Sequence, residues 1–400
     1  MTQTASDKTI LGTTTFDAEA RIDPHPKLKE IRETSPQLRD ESVHTWFFTK
    51  YNDVRTTVND PTVPRGRDIA EEGSLTRLSQ SSRDDKNPDR LESILMLDDP
   101  DHSRVRRPIM KAFYARINAM KDVIEGVIDE VIDAAPETGE FDFVDHIALP
   151  IPILVIARII GVDEDKLDDF RAWSEAVIVS LVPLRTPEQD QMIIDGGENL
   201  DAYFSELMAA RRKNPREDLA SDMVKLLDSG IELTEEEVRT NLTALLVGGN
   251  LTTTDLIANG VWLFLNHPEQ RAKLVANPEL AGPAVEEVLR YEGPVCVTSR
   301  TIPDEREISG CPMHRGSNIY MSLHGANRDP DMFDNPDVFD ITREHKPHVA
   351  FGGGSHICIG APLARIEGKH AFKRIFERYP ELALSGAEIV WRNLPFFRGI

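Results

Sequence analysis

The chain has 400 residues, 40% of them hydrophobic, 28% charged and 6% aromatic, with a net charge of -22. A chain of this size buries a large core, and the composition is that of a helix-rich globular protein, expected as a single domain over residues 1–400. So strong an acidity argues against a general nucleic-acid binder, which needs a broad basic surface. The N-terminus, MTQTASDKTI, lacks a signal-peptide pattern. The apolar stretch from Ala148 to Val162 is interrupted by Pro150, Pro152 and Arg158, so no segment is expected to span a membrane and the location expected is the cytoplasm.

In chain order, residues 1–60 read as mixed, with a pair of short strands around His44–Thr49. The segment Pro64–Leu91 is polar and rich in Arg, Asp and Ser, which predicts a mobile loop. Helical periodicity dominates from Ser103 to Leu227, with breaks near Pro136, Pro183 and Pro215. Thr234 followed by Glu237 is a capping box. It opens an apolar helix that His267-Pro268 stops at about Asn266. At about 1.5 Å per residue that helix spans roughly 45 Å, long enough to cross a molecule's centre. Further helices are predicted from Pro268, over Ala281–Tyr291 and over Ala361–Tyr379, with irregular and strand-like chain before Gly360. The fold class is therefore mainly α with a smaller β portion.

Three cysteines are too few for a disulfide scaffold, and their spacing fits no structural zinc site. Cys296 and Cys311 are expected as small buried hydrophobes. Cys358 differs, because it lies in Phe351-Gly-Gly-Gly-Ser-His-Ile-Cys358-Ile-Gly360 with a helix directly after. Glycines bring backbone close to a sulfur, and amide N–H groups with a helix N-terminus stabilise a thiolate. A phosphate loop would need Lys-Ser/Thr after the last glycine, where Ala-Pro stands. This string resembles the haem-binding signature of the cytochrome P450 family at its defining positions.

The resemblance extends from about residue 40 to the end, and it implies that family's fold, with the long helix crossing over the haem. It implies heme b as cofactor and Cys358 as axial ligand to the iron, shielded by Phe351. Glu287 and Arg290 match the family's buried Glu-Arg pair, a structural element clasping the segments Asn327–Pro330 and Pro336–Asp340. His102, Arg106, Arg300 and His356 match positions that hold the haem propionates. On the long helix, Gly248, Gly249 and Thr252 match the place of dioxygen binding and proton delivery, where local unwinding is expected to leave a groove. The family's acid before the threonine is Leu251 here. Asn250, by ordering a water, and Asp255, three residues beyond Thr252, are the two candidates to take its place.

The resemblance implies a monooxygenase that uses O2 and places one oxygen atom in a small apolar organic substrate. Val247, Val295, Val297, Phe396 and Phe397 are candidate pocket residues, and Arg65 or Arg67 a candidate partner for a substrate carboxylate. With no flavin-binding or ferredoxin-like segment in view, electrons are expected from a [2Fe–2S] ferredoxin and its NAD(P)H-dependent reductase. Arg104, Arg107 and Lys111 form a basic cluster suited to dock such an acidic carrier. The family usually runs on for a further strand after Ile400, so a truncated C-terminal strand is expected. Two alternatives differ in chemistry: a haem-thiolate isomerase or dehydratase, which Leu251 favours, and a non-enzymatic haem sensor, which would require an added signalling or DNA-binding segment.

Overall fold

A computed structural model describes residues 8–84, 91–181 and 186–400. The first part of the chain folds as α1 (Ala18–Ile22), α2 (His25–Thr34), β1 (Gln37–Asp40), β2 (Thr45–Phe48), α3 (Tyr51–Asn59) and α4 (Leu75–Asp84). Helices then dominate: α5 (Asp101–Ala119), α6 (Lys121–Ala134), α7 (Pro150–Ile160), α8 (Leu167–Ile178), α9 (Pro187–Lys213) and α10 (Leu219–Asp228). The long α11 (Glu235–Asn266) follows, then α12 (Pro268–Ala276) and α13 (Ala281–Glu292). Strands β3 (Val297–Thr301), β4 (Arg306–Ile308), β5 (Cys311–Met313) and β6 (Asn318–Ser322) precede α14 (Leu323–Asn327) and α15 (Ala361–Arg378).

The expected capping box is present: Glu237 N–H donates to Thr234 Oγ1 (3.1 Å), and Thr234 N–H donates to Glu237 Oε2 (2.8 Å). Among helical breaks, α6 ends before Pro136 and α9 before Pro215, while Pro183 lies outside the described residues. Two expectations need correction. The strand pair is Gln37–Asp40 against Thr45–Phe48 rather than both within 44–49. The segment 64–91 is not all loop, since its residues 75–84 form α4; residues 85–90 lie outside the description. Tertiary contact holds α4: Leu75 packs with Phe47 and Tyr320, and its N–H donates to the buried Thr45 Oγ1 at 3.1 Å.

The chain divides into two compact units. One contains Met1–Pro88, Asn259–Cys358 and Ala383–Ile400. Its sheet runs β1-β2-β6-β3, with β2 and β6 parallel and the outer pairs antiparallel. Alternation sends Phe48, Ile319 and Met321 to one face, against Val54 and Val58 of α3. Phe47 and Tyr320 take the other face, against Leu28 and Ile31 of α2.

Two buried ion clusters knit this unit. Arg290 donates twice to Glu287 (2.7 and 2.8 Å) and to the carbonyls of Asn327, Pro336 and Val338, while Glu287 accepts the Asp340 N–H. The second cluster centres on Glu292, which receives Arg398 (2.6 Å), Arg328 (3.3 Å) and His25 (2.9 Å). Burial opposes ionisation of Glu292, but His25, Arg398 and Arg328 hold its carboxyl well below the usual range. The His25 ring stacks on His324 with centroids 5.5 Å apart. His324 donates from Nε2 to Gly293 O at 2.6 Å, and its Nδ1 has no hydrogen-bond partner among the described residues.

Burial, with His25 close by, lowers the His324 pKa to about 4. Below about pH 6.5 the unfolded chain takes up a proton that the folded chain refuses until about pH 4, so folding stability drops as pH falls through that window. The shift corresponds to a loss on the order of 3 kcal/mol. Urea midpoints between pH 7 and 4.5 measure it, and His324→Gln, which keeps an N–H for Gly293 O, should flatten the decline. An equally steep decline in the variant would assign the acid sensitivity to other groups.

The other unit contains Asp89–Ala258 and Ile359–Leu382. Here α7 is buried almost all round, through Ile151, Ile153, Val155, Ile156, Ile159 and Ile160, as its run of aliphatic residues dictates. Helix α6 packs on α15, where Asp129 receives His370 (3.0 Å) and Arg374 (2.6 Å). Helix α5 is tied to α10 by Arg116 bidentate on Asp222 (2.8 and 2.9 Å).

Candidate active site

In the first unit, Val349–Cys358 makes a tight loop. Gly352 and Gly354 have φ of +70° and +63°, the left-handed region where a side chain is strained. A Cβ on Gly354 would also clash with Val58 O. Cys358 closes the loop by donating its N–H to Phe351 O (3.0 Å), and Cys358 and Ile357 are exposed. His356 ends a short 3-10 turn, half-buried, and Phe351 is also half-buried, its ring 5.8 Å from that of His348. Arg300, on β3, is 3% exposed and donates to two neutral carbonyls, Ser299 O (2.8 Å) and Val58 O (3.3 Å).

The same unit brings together four of the five candidate pocket residues. Val295 bridges to Phe397, the neighbouring Cys296 N–H donates to Phe396 O (3.0 Å), Phe396 packs on Tyr320 (5.4 Å), and Val297 begins β3. Arg65 reaches Thr298 Oγ1 at 3.4 Å, next to Val297. Cys296 and Cys311 are partly exposed rather than buried: one lies in this extended stretch and the other in the short β4–β5 hairpin. Burial, together with Asp53 and Glu307, raises the Cys311 thiol pKa, which keeps it protonated.

In the second unit, α5 turns His102 and Arg106, four residues apart, to one buried face, with 2% and 8% exposure. Arg107 and Lys111 are exposed on the same helix. Arg104 is 29% exposed at its side chain and is ion-paired with Glu237 and Asp101. On α11 the expected unwinding does not occur: the helix is continuous through Gly248–Thr254. Thr252 Oγ1 donates to Gly248 O (2.7 Å) as an addition to the backbone ladder, so nothing there needs to open. An opening is present nonetheless, because side chains are missing: a Cβ at Gly248 or Gly249 would meet nothing within 4 Å.

Around that opening Val247, Leu251, Thr253, Thr254 and Asp255 are buried, while Gly248 is exposed and Thr252 half-buried. Helical steps of about 100° place the two candidate substitutes for the missing acid on different faces. Asn250 lies about 200° round the helix from Gly248 and donates from Nδ2 to the buried Ser174 Oγ (3.1 Å) on α8, while its Oδ1 is buried without a hydrogen-bond partner among the described residues. Asp255, fully buried, stays on the Thr252 side one turn further on.

These donors suit a haem. In the first unit these are the buried Arg300 guanidinium and the Cys358 thiol beside glycine turns, and in the second the buried His102 and Arg106; such cations suit carboxylates and such a thiol suits iron. Sequence reasoning missed Asn59, which holds the cysteine loop from the end of α3, and His348 at the loop's start with its partner Glu286 on α13. The only local signal was a helix-ending Asn and a His shortly before Phe351.

A family model described as Cytochrome P450 matches residues 76–387. Cytochrome P450 107B1 of Saccharopolyspora erythraea is 34% identical over 393 residues, covering 96% of this chain and 95% of its own. Vitamin D(3) 25-hydroxylase of Pseudonocardia autotrophica is 34% identical, covering 94% and 92%. Among solved structures, myxobacterial cytochrome P450 CYP267B1 with myristic acid superposes at a TM-score of 0.85 with 33% identity and 95% coverage of both chains. P450BioI with a hexadec-9Z-enoic acid ligated acyl carrier protein gives 0.84 with 31% identity, covering 96% and 97%. The glycine-wrapped thiol, the buried cations and the threonine at an opening in a buried helix thus occur in a chain matched along nearly its whole length: it belongs to the cytochrome P450 family and is a haem-dependent monooxygenase of that family.

Proposed function

We propose that this enzyme, a single catalytic domain acting in the cytoplasm, inserts one oxygen atom of O2 into a small apolar organic molecule. Its electrons come from a separate [2Fe–2S] ferredoxin and NAD(P)H-dependent reductase. The observation that carries this reading is Cys358, exposed beside left-handed glycines and three residues before the N-terminus of α15. The haem, when bound, supplies the oxygen-activating chemistry. Cys358 would hold its iron through sulfur, and the N-terminal end of α15 would stabilise the thiolate charge. Arg106, Arg300, His102 and His356 hold the propionates by charge-assisted hydrogen bonds. Apolar Val247, Val295, Val297, Phe396 and Phe397 exclude water and favour an aliphatic or terpenoid-like substrate. The relatives named for vitamin D(3) and seen with myristic acid support that class.

Thr252 commits its hydroxyl proton to Gly248 O, which leaves oxygen lone pairs to accept a hydrogen bond from a group bound at the opening. Leu251, buried beside it, can neither donate nor relay a proton. Asp255 is the acid on the Thr252 side. In a reconstituted assay with ferredoxin, reductase and NAD(P)H, Thr252→Ala should divert most consumed reductant into hydrogen peroxide. Asp255→Asn should slow turnover and enlarge its solvent isotope effect. Tight coupling in Thr252→Ala would remove the threonine from proton handling. In the same assay Arg107→Glu should slow reduction by the ferredoxin, and salt should slow the wild type. No change in either rate would leave Arg107 and Lys111 as a solvated helix face.

A further inference from the structure

The cysteine loop is gripped at two points by side chains of its own unit. At its start stands His348, whose side chain is only 4% exposed. Its Nδ1 accepts the Ala350 N–H (3.1 Å), which puts the ring proton on Nε2, where it is donated to Glu286 Oε2 (3.2 Å) on α13. Phe351, next to Ala350, packs tilted against this ring and takes the Cys358 N–H on its carbonyl. In the middle of the loop, Gly354 N–H donates to Asn59 Oδ1 (2.8 Å), and Asn59 is itself moored by Nδ2 to Arg55 O (2.7 Å). Helix α3 presses so close that a Cβ on Gly353 would meet Val58 Cγ2 at 2.7 Å. The same helix end takes Arg300 on Val58 O (3.3 Å), so one short stretch, Val58-Asn59, touches both the loop and the Arg300 cation.

We infer that His348 and Asn59 are positioning residues for the Cys358 sulfur, a two-point brace that sets how much water and hydrogen bonding the thiolate receives. The inference rests on Cys358 being the iron ligand. A ligand's electron density depends on the hydrogen bonds and solvent around it. A loosened loop admits water, whose donated hydrogen bonds draw density from sulfur and make the iron easier to reduce.

The test uses the haem-loaded full chain and two readouts other than turnover: the lifetime of the red-shifted Soret band of the reduced, carbon-monoxide-bound protein, and the midpoint potential. His348→Ala and Asn59→Ala should each shorten the lifetime about fivefold, the worth of one net hydrogen bond, and raise the potential. His348→Asn keeps an acceptor for the Ala350 N–H, and Asn59→Asp keeps one for Gly354, so both should recover most of the lifetime. Asn59 is exposed, so Asn59→Ala folds even where His348→Ala does not. Wild-type lifetime and potential in Asn59→Ala overturn the inference, whatever His348→Ala does. A wild-type protein with no red-shifted band would instead overturn the assignment of Cys358; a normal wild-type band with unaltered variants overturns the brace alone.

Discussion

Cys358→His should abolish the red-shifted Soret band of the reduced, carbon-monoxide-bound enzyme and take oxygen insertion below detection. Thiolate sulfur donates electron density to iron in a way that favours O–O cleavage, and an imidazole does not. The loop is built around this residue: its N–H closes on Phe351 O, and glycines at 352 and 354 occupy conformations that side chains resist. The backbone bond that closes the loop, Cys358 N–H to Phe351 O, survives the substitution, so the loss should be chemical rather than structural. Far-ultraviolet circular dichroism unchanged beside an absent band would mark that distinction. A band that survives in Cys358→His would sink the assignment of the ligand.

The other large effect should come from Glu287→Ala. It leaves Arg290, 2% exposed, with its charge buried and its bidentate partner gone. Breaking a buried pair from one side costs about 3–5 kcal/mol. Whole domains hold only about 5–15 kcal/mol of stability. Arg290 also caps the carbonyls of Asn327, Pro336 and Val338, and Glu287 takes the Asp340 N–H and Arg343. Those segments should loosen together, and haem incorporation should fall with them. The urea midpoint of Glu287→Ala measures the cost. A loss below about 1 kcal/mol, as for an exposed pair, would show that the pair is not the clasp.

Much of this was legible in the sequence because local rules decide it. The capping box at Thr234, the stop at His267-Pro268 and the glycines before Cys358 act over a few residues, so their geometry follows from residue type and spacing. The four-residue separation of His102 and Arg106 puts both on one face of α5 for the same reason. The opening on α11 was readable in place but not in kind. Glycine spacing marks the spot, yet whether a helix unwinds there depends on the packing around it, and buried Leu251, Thr253 and Thr254 keep it regular.

Only tertiary structure decided the rest. Asn250 and Asp255 are equivalent candidates in a string of letters; helix phase separates their faces, and the Ser174 hydroxyl on α8 takes the Asn250 amide. Arg104 reads like Arg107 until Glu237, more than a hundred residues later, is found against it. Helix α4 looks like loop because its polar composition hides the support that Phe47, Tyr320 and the Thr45 hydroxyl give its first residue. Asn59 and His348 carry only a faint local signal, since their partners Gly354 and Glu286 lie 295 and 62 residues away. The sequence by itself determined the long central helix, its cap and stop, and the thiolate loop, through interactions that close within a few residues; α4, the orientation of polar side chains and the pairing of charges were left to the tertiary structure, because their partners are distant in the chain.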